Sequence, residues 1–133
     1  MDDRPATHGW ICLRGIEVDG MRVGVLPEEQ HRLQRVTVDV QLFVDTARAA
    51  RTDAVEDTVN WSTVVQEVLR VCRLRHYGLI ETLCESLAAA LLDAAVVGHQ
   101  VDGVELEVHK INCLSHGRAS VRITRWADVK KPE

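Results

Sequence analysis

Lys110 is the residue whose placement most invites chemistry. Across Val104 to Lys110, Val104, Leu106 and Val108 share one parity and Glu105, Glu107 and His109 the other. Lys110 falls on the apolar parity, at the end of the run. An amine turned toward an apolar face is partly stripped of water, which disfavours its charged form and suits it to exchange protons near neutrality. The same spacing also fits a lysine whose stem packs on the core while its ammonium reaches solvent. Glu81 follows Gly78-Leu79-Ile80 in the first turn of a predicted helix. The helix dipole favours a carboxylate there by about 0.3–1 kcal/mol. Its two oxygens can also accept a pair of parallel N–H donors, such as the edge of an amino-pyrimidinone presents. Glu28 and Glu29 follow Gly24-Val25-Leu26-Pro27, where a proline at the first helical position with carboxylates behind it is ordinary capping. Trp61 opens another predicted helix, in the phase of a core or pocket-wall residue.

Other chemistries are poorly supplied. His8, His31, His76, His99, His109 and His116 are isolated from one another, with no H-x-H or H-E-x-x-H, so no metal site is expected. No G-x-G-x-x-G, Walker loop or serine elbow occurs, and no cofactor is expected. Cys12, Cys72, Cys84 and Cys113 are scattered without a C-x-x-C pair. Cys72 and Cys84 fall on predicted apolar helix faces, where free cysteine behaves as a small hydrophobe. Reduced thiols in a chain of this size point to the cytosol.

These residues need elements to hold them. From Trp10 to Val18 apolar residues alternate loosely, which predicts a first strand with a bulge at Gly15. Gly20 to Glu29 reads as a turn or short helical segment. Val36, Val38, Val40, Leu42 and Val44 alternate with polar residues, and period two over ten residues predicts a long, half-buried antiparallel strand. After a polar connection at Asp53 to Thr58, Trp61, Val64, Val65, Val68, Leu69 and Cys72 follow the spacing of an amphipathic helix, with Asn60 as its N-cap. A second helix is predicted from Leu79 to Val97, closed by Gly98. Strands over Val104 to Lys110 and Ala119 to Trp126 complete the chain. Strand, strand, helix, helix, strand, strand is an α+β order. Four strands under two helices leave free sheet edges, which oligomerisation by edge-to-edge pairing would cover.

The chain has 133 residues, 46% of them hydrophobic, and a formal net charge of −4. That suffices for one domain with a real core and excludes intrinsic disorder. The acidic balance argues against a nucleic-acid partner. No apolar run is long enough for a membrane helix. Met-Asp-Asp-Arg-Pro lacks the basic flank and apolar core of a signal peptide. Residues 1–9 and 127–133 read as tails around a single domain over 10–126.

Taken together, the segments resemble the dihydroneopterin aldolase family. The matching stretches are Leu13-Arg14-Gly15-Ile16, Gly24-Val25-Leu26-Pro27-Glu28-Glu29, Gln34-Arg35-Val36-Thr37-Val38-Asp39-Val40, Asp53 through Asp57-Thr58-Val59-Asn60-Trp61, Leu79-Ile80-Glu81-Thr82-Leu83 and Val108-His109-Lys110. They stand in family order from about Trp10 to Arg125. The resemblance implies the tunnelling fold, in which an antiparallel four-stranded sheet with two helices on one face joins three copies of itself in one continuous barrel. Such rings usually stack as octamers, with active sites between subunits.

It also implies a lyase of folate or other pterin biosynthesis. Retro-aldol cleavage of 7,8-dihydroneopterin would give 6-hydroxymethyl-7,8-dihydropterin and glycolaldehyde. The dihydropterin ring accepts the electrons, so neither metal nor Schiff base is required. Carried over residue by residue, Glu81 matches the carboxylate that anchors the pterin's 2-amino group and ring N–H, and Ile80 the backbone contact beside it. Lys110 matches the general acid/base, and Glu29 the carboxylate that orients water or the side-chain hydroxyl. Three positions depart from the pattern. The family tyrosine is Trp61, a usual histidine is Val23, and Ile111-Asn112-Cys113-Leu114 replaces a proline-rich loop. That loop is similar to the dihydroneopterin triphosphate epimerase branch. An indole donates a hydrogen bond but does not ionise usefully, and still offers a flat wall to a pterin. Three readings follow, namely the lyase, an epimerase on the same substrate or its phosphate, and a pterin-binding paralogue with little turnover. Tyr77, His116 and Cys113 are the candidate acids in place of the tyrosine.

Overall fold

The computed structural model describes residues 6–29, 32–111, 114 and 116–128; Cys113 and the outer parts of both tails lie outside them. Its elements run β1 (His8–Met21), β2 (Gln34–Asp45), α1 (Ala47–Thr52), α2 (Trp61–Arg73), α3 (Ile80–Leu91), α4 (Ala94–Val97), β3 (Gly103–Lys110) and β4 (Ala119–Trp126), with single 3-10 turns at Pro27–Glu29 and Val55–Asp57. The strands form one sheet in the order β1-β2-β3-β4, every pair antiparallel. The α+β class and the four-stranded sheet expected from the sequence are thus observed.

Alternation decides which face is covered. Val36, Val38, Val40, Leu42 and Val44 of β2 are fully buried, as are Val104 and Val108 of β3. They pack with Val64, Val68 and Cys72 of α2 and Leu83, Cys84, Leu87 and Leu91 of α3 in one core. The opposite parity, which includes Thr37, Asp39, Gln41, Glu105, Glu107 and His109, stays half-buried on the face without helices. β1 is longer than expected and begins at His8, so His8 and Gly9 belong to the sheet rather than to a tail. Its pairing with β2 slips between Leu13 and Ile16, where Gly15 takes φ +69° and its N–H donates to Asp39 Oδ1 at 2.7 Å. A second slip between Val18 and Met21 coincides with Gly20 at φ +72°. Glycine enters this left-handed region without steric penalty.

One helix was not foreseen, and two local expectations are corrected. Helix α1 carried no periodic signal because none of its residues is buried. The helix expected from Leu79 to Val97 is two helices, α3 and α4. Asp93 accepts from the Ala95 N–H at 3.0 Å and caps the second, the local competition for backbone donors that makes aspartate a helix starter. Trp61 is not a core residue. Asn60 caps α2 as expected, but Trp61 precedes the first buried turn and is 63% exposed.

On the helix-free face one end of the sheet carries an aromatic row. Trp10, Phe43, Gly103 and Trp126 are in register across all four strands. Phe43 meets Trp10 at 5.0 Å between ring centroids and Trp126 edge-on at 5.6 Å. Gly103 is the clearing that lets the Trp126 indole lie over the sheet, for a Cβ there would stand 2.4 Å from its Cε3. Gly103→Ala should therefore destabilise the protein by about 1–3 kcal/mol, the usual cost of overpacking. Denaturant unfolding followed by tryptophan fluorescence measures this, and an unchanged midpoint would show that the indole swings away freely.

Candidate functional site

The site is built where two loops are fastened together. Val23 and Tyr77 form an isolated parallel bridge. The Gly24 N–H donates to the Tyr77 carbonyl at 2.9 Å, and the Tyr77 N–H to the Arg22 carbonyl at 2.9 Å. His76 Nε2 lies 2.8 Å from the Gly24 carbonyl oxygen. Tyr77 is itself sealed in the core and donates its hydroxyl to the Val71 carbonyl at 2.8 Å. The lead-in to α3 is thereby fixed against the segment that leads to Pro27–Glu29.

That 3-10 turn aims Glu29 back over its own loop. The Glu29 N–H donates to the Leu26 carbonyl at 2.9 Å, and the Leu26 N–H reaches Glu29 Oε1 at 3.3 Å. Gly24, at φ +120°, leaves the space. A Cβ there would stand 2.4 Å from the Glu29 carboxyl carbon. Opposite, β3 delivers Lys110 on the helix-covered face, in register with Val36 of β2 and Ala119 of β4. Lys110 Nζ donates to Glu29 Oε2 and forms an ion pair with it. The two side chains are only 14% and 10% exposed. The hydrogen bond from Lys110 holds the Glu29 carboxyl below the usual carboxylate range, against the opposing effect of burial.

A cavity of about 390 Å³ opens beside this pair. Glu29, Lys110, Ile80 and Glu81 all line it, together with Gly24 and Val121. Glu81 is exposed in the first turn of α3, whose N-cap position, Leu79, contributes no side-chain cap. The start of α3, where no side-chain cap is made at Leu79, and the Glu81 carboxylate therefore flank the cavity together. Four of the five predicted site residues meet here.

The fifth does not. Trp61 lines a different cavity, of about 700 Å³, with Ile11, Asp53, Thr58 and Val59 among its walls. One cavity reaches the sheet through Lys110 of β3 and Ala119 to Val121 of β4, the other through Ile11 of β1, and β4 and β1 are the two opposite edges of the sheet. Of the candidate acids, Tyr77 is excluded from both by burial and by its bond to Val71. His116 is exposed, and Cys113 lies outside the described residues. Sequence reasoning missed Gly24 and His76 as builders of the site, because their roles rest on contacts between segments far apart in the chain.

Among the described residues, Asp39, Glu107 and His109 bring three possible metal-ligand atoms within 4.8 Å of one another, but on the helix-free face. His109 Nε2 is engaged with Asp39 Oδ2 at 2.9 Å, and Ser120 Oγ donates to Glu107 Oε2 at 2.6 Å.

Comparison with known proteins gives a consistent picture. The family model for dihydroneopterin aldolase matches residues 11–124. A dihydroneopterin aldolase of Streptomyces coelicolor is 37% identical over 101 residues, which cover 75% of this chain and 80% of that protein. The crystal structure of a dihydroneopterin aldolase from Burkholderia thailendensis bound to guanine is similar, with TM-score 0.70 and 30% identity over 92% of this chain and 94% of that one. The structure of Escherichia coli dihydroneopterin aldolase in complex with neopterin has TM-score 0.80 and 21% identity, covering 88% and 98%.

The ion pair gives a direct test. With Lys110→Met, burial of the Glu29 carboxylate is no longer opposed by its main hydrogen-bond donor, so Glu29 should titrate at clearly higher pH than in the parent. In the parent, the stabilisation from this pair should be present at neutral pH and be lost on acidification through the lowered Glu29 pKa. Carboxyl-detected NMR titration reads both proteins. Coincident Glu29 titration curves would remove Lys110 as the cause of the shift.

Proposed function

The chain belongs to the dihydroneopterin aldolase family, and from that premise we propose that it binds a reduced pterin in the Glu81–Lys110 cavity and cleaves the side chain of 7,8-dihydroneopterin or a close relative. The observation that carries this reading is the meeting, in one cavity, of a buried acid–base pair and an exposed carboxylate at a helix start. Glu81 would accept the 2-amino and ring N–H donors of the pterin, with the backbone at Ile80 beside it. The pterin side chain would then lie toward Lys110 and Glu29.

The chemistry asks little more. A base removes the proton from the side-chain C2′ hydroxyl, the C1′–C2′ bond breaks with loss of glycolaldehyde, and the electron pair passes into the conjugated ring. An acid then returns a proton to C1′. Lys110 is placed for these transfers, taking the hydroxyl proton once its amine has given its own proton to solvent and returning it to C1′, while the Glu29 carboxylate holds the amine or a water in line. Burial of the pair protects it from bulk solvent, where such proton transfers lose direction.

Trp61 enters only if a second copy supplies it. It is exposed in isolation, and its cavity opens at the sheet edge opposite to that of Lys110. Four copies would close a ring through those edges, each site completed across a junction, and rings would stack as an octamer. Free thiols at Cys12, Cys72 and Cys84 suit a cytosolic setting. No helix among the described residues is long and apolar enough to cross a membrane.

Incubation with 7,8-dihydroneopterin, following glycolaldehyde and the side-chain epimer separately, tests the lyase against the epimerase and the non-turnover binder. Glu81→Gln should weaken pterin binding by about 1–3 kcal/mol, since an amide donor would then face a ligand donor. Lys110→Ala should abolish both products while binding falls much less. Equal rates in the Lys110 variant would sink the mechanism. Trp61→Tyr should raise aldolase product, because a phenol both donates and accepts a proton; no gain over an already fast parent would show that the indole costs nothing here.

A further inference from the structure

Resting on the lyase reading above, we infer that His76 is a positioning residue for the reaction, setting the Glu29 carboxylate against Lys110 through the main chain of Gly24. A carbonyl oxygen only accepts, so the 2.8 Å contact with the Gly24 carbonyl puts a proton on His76 Nε2. Gly24 is then held from two sides, its N–H on the Tyr77 carbonyl and its own carbonyl on the His76 ring. The second hold matters because Gly24, at φ +120°, has no Cβ to restrict the peptide that follows it. Among the described residues, the bridge to Tyr77 fixes the peptide before Gly24, and His76 fixes the one after it.

From that peptide the chain runs on to Glu29 with few other anchors. Among the described residues, the Leu26 N–H and the Glu29 N–H bond within the loop itself, and Val25 and Leu26 are exposed. The next hydrogen bond to the body of the protein is the one between Glu29 and Lys110. The Glu29 carboxyl group also fills the space that a side chain on Gly24 would take. A shift of the Gly24 main chain is thus handed straight to the carboxylate.

The support behind His76 is stiff enough for this task. Arg75 Nε donates to the His76 carbonyl at 3.0 Å, and its guanidinium carbon lies 5.1 Å from the Tyr77 ring centroid. Tyr77 is locked in turn by burial and by its hydroxyl on Val71. Misplacing a reacting group by about 1 Å can cost about 100-fold in rate. Glu81 stands apart from this path, because it belongs to α3 and not to the Gly24 loop. Loss of the His76 contact should therefore act on turnover far more than on pterin binding.

Three variants test this. His76→Leu removes the donor, His76→Gln keeps an amide N–H at the reach of Nε2, and His76→Asn keeps the amide but stops short of Gly24. Kinetics on 7,8-dihydroneopterin and carboxyl-detected NMR titration of Glu29 are measured on each, well below the unfolding midpoint. His76→Leu and His76→Asn should lower kcat for glycolaldehyde release about 10- to 100-fold with KM little changed. Glu29 should titrate at higher pH in both, as its bond to Lys110 loosens. His76→Gln should restore kcat and titration together. Parent-like kcat and Glu29 titration in the leucine and asparagine variants, with only the unfolding midpoint lowered, would overturn the inference and leave a contact that serves stability alone. A loss that glutamine does not restore overturns it as well. Where circular dichroism shows that His76→Leu does not fold, His76→Asn carries the test. A parent without turnover overturns the lyase reading instead; the Glu29 titrations need no substrate and still decide whether His76 sets the carboxylate.

Discussion

Lys110 and Glu29 are 81 residues apart in sequence and share one buried ion pair. Most of the site's architecture answers to that contact. Two charges can be withdrawn from water only if each satisfies the other, so the loop bearing Glu29 and the end of β3 must be held to within a hydrogen bond of one another. The bridge between Val23 and Tyr77, the Tyr77 hydroxyl anchored on Val71, and the glycine at position 24 all serve that requirement. The cavity is the space left over once these constraints are met. Ile80 and Glu81 line it because the same bridge that steadies Glu29 also fixes the entry to α3.

What was legible in the sequence follows the range of the interactions involved. The β2 strand was written in five alternating apolar residues, and the Asn60 cap in a single side chain, since both depend on near neighbours. The apolar parity of Lys110 was readable for the same reason, and the side chain is indeed turned to the covered face. That its amine meets Glu29 was not readable from parity, because no local pattern encodes a partner in another loop. Glu28 and Glu29 looked alike as capping carboxylates; the 3-10 turn buries one and leaves the other in solvent. Trp61 read as either core or pocket wall, and only the second agrees with the structure, because the packed part of α2 starts one turn later at Val64. The break at Asp93 was not read at all, because the alanine-rich run before it looks like uninterrupted helix and the Asp93 cap shows only in the structure.

The split of the site residues between two cavities has a bearing on the substitution at position 61. A side chain that is exposed in its own chain is under no packing constraint from that chain's core. Tyrosine and tryptophan can exchange there without disturbing α2, whose buried face starts at Val64. The consequences of that exchange fall outside the core, on whatever meets the exposed indole, which separates the role of the position from the stability of the fold.

The sheet order carries a kinetic consequence. β1 with β2, and β3 with β4, are neighbours joined by short connections, so each hairpin closes at small entropic cost. The central pairing is different. Val36 meets Lys110 and Phe43 meets Gly103 only after all four helices have been threaded between them. Non-local pairings of this kind dominate folding times. Topology therefore places the costliest pairing in the middle of the sheet, and until it forms neither the Lys110–Glu29 pair nor the helix-covered face is assembled. A nascent chain would carry two hairpins with every edge open. The interval before the centre zips shut is the one in which such a chain is most exposed to pairing with the wrong neighbour.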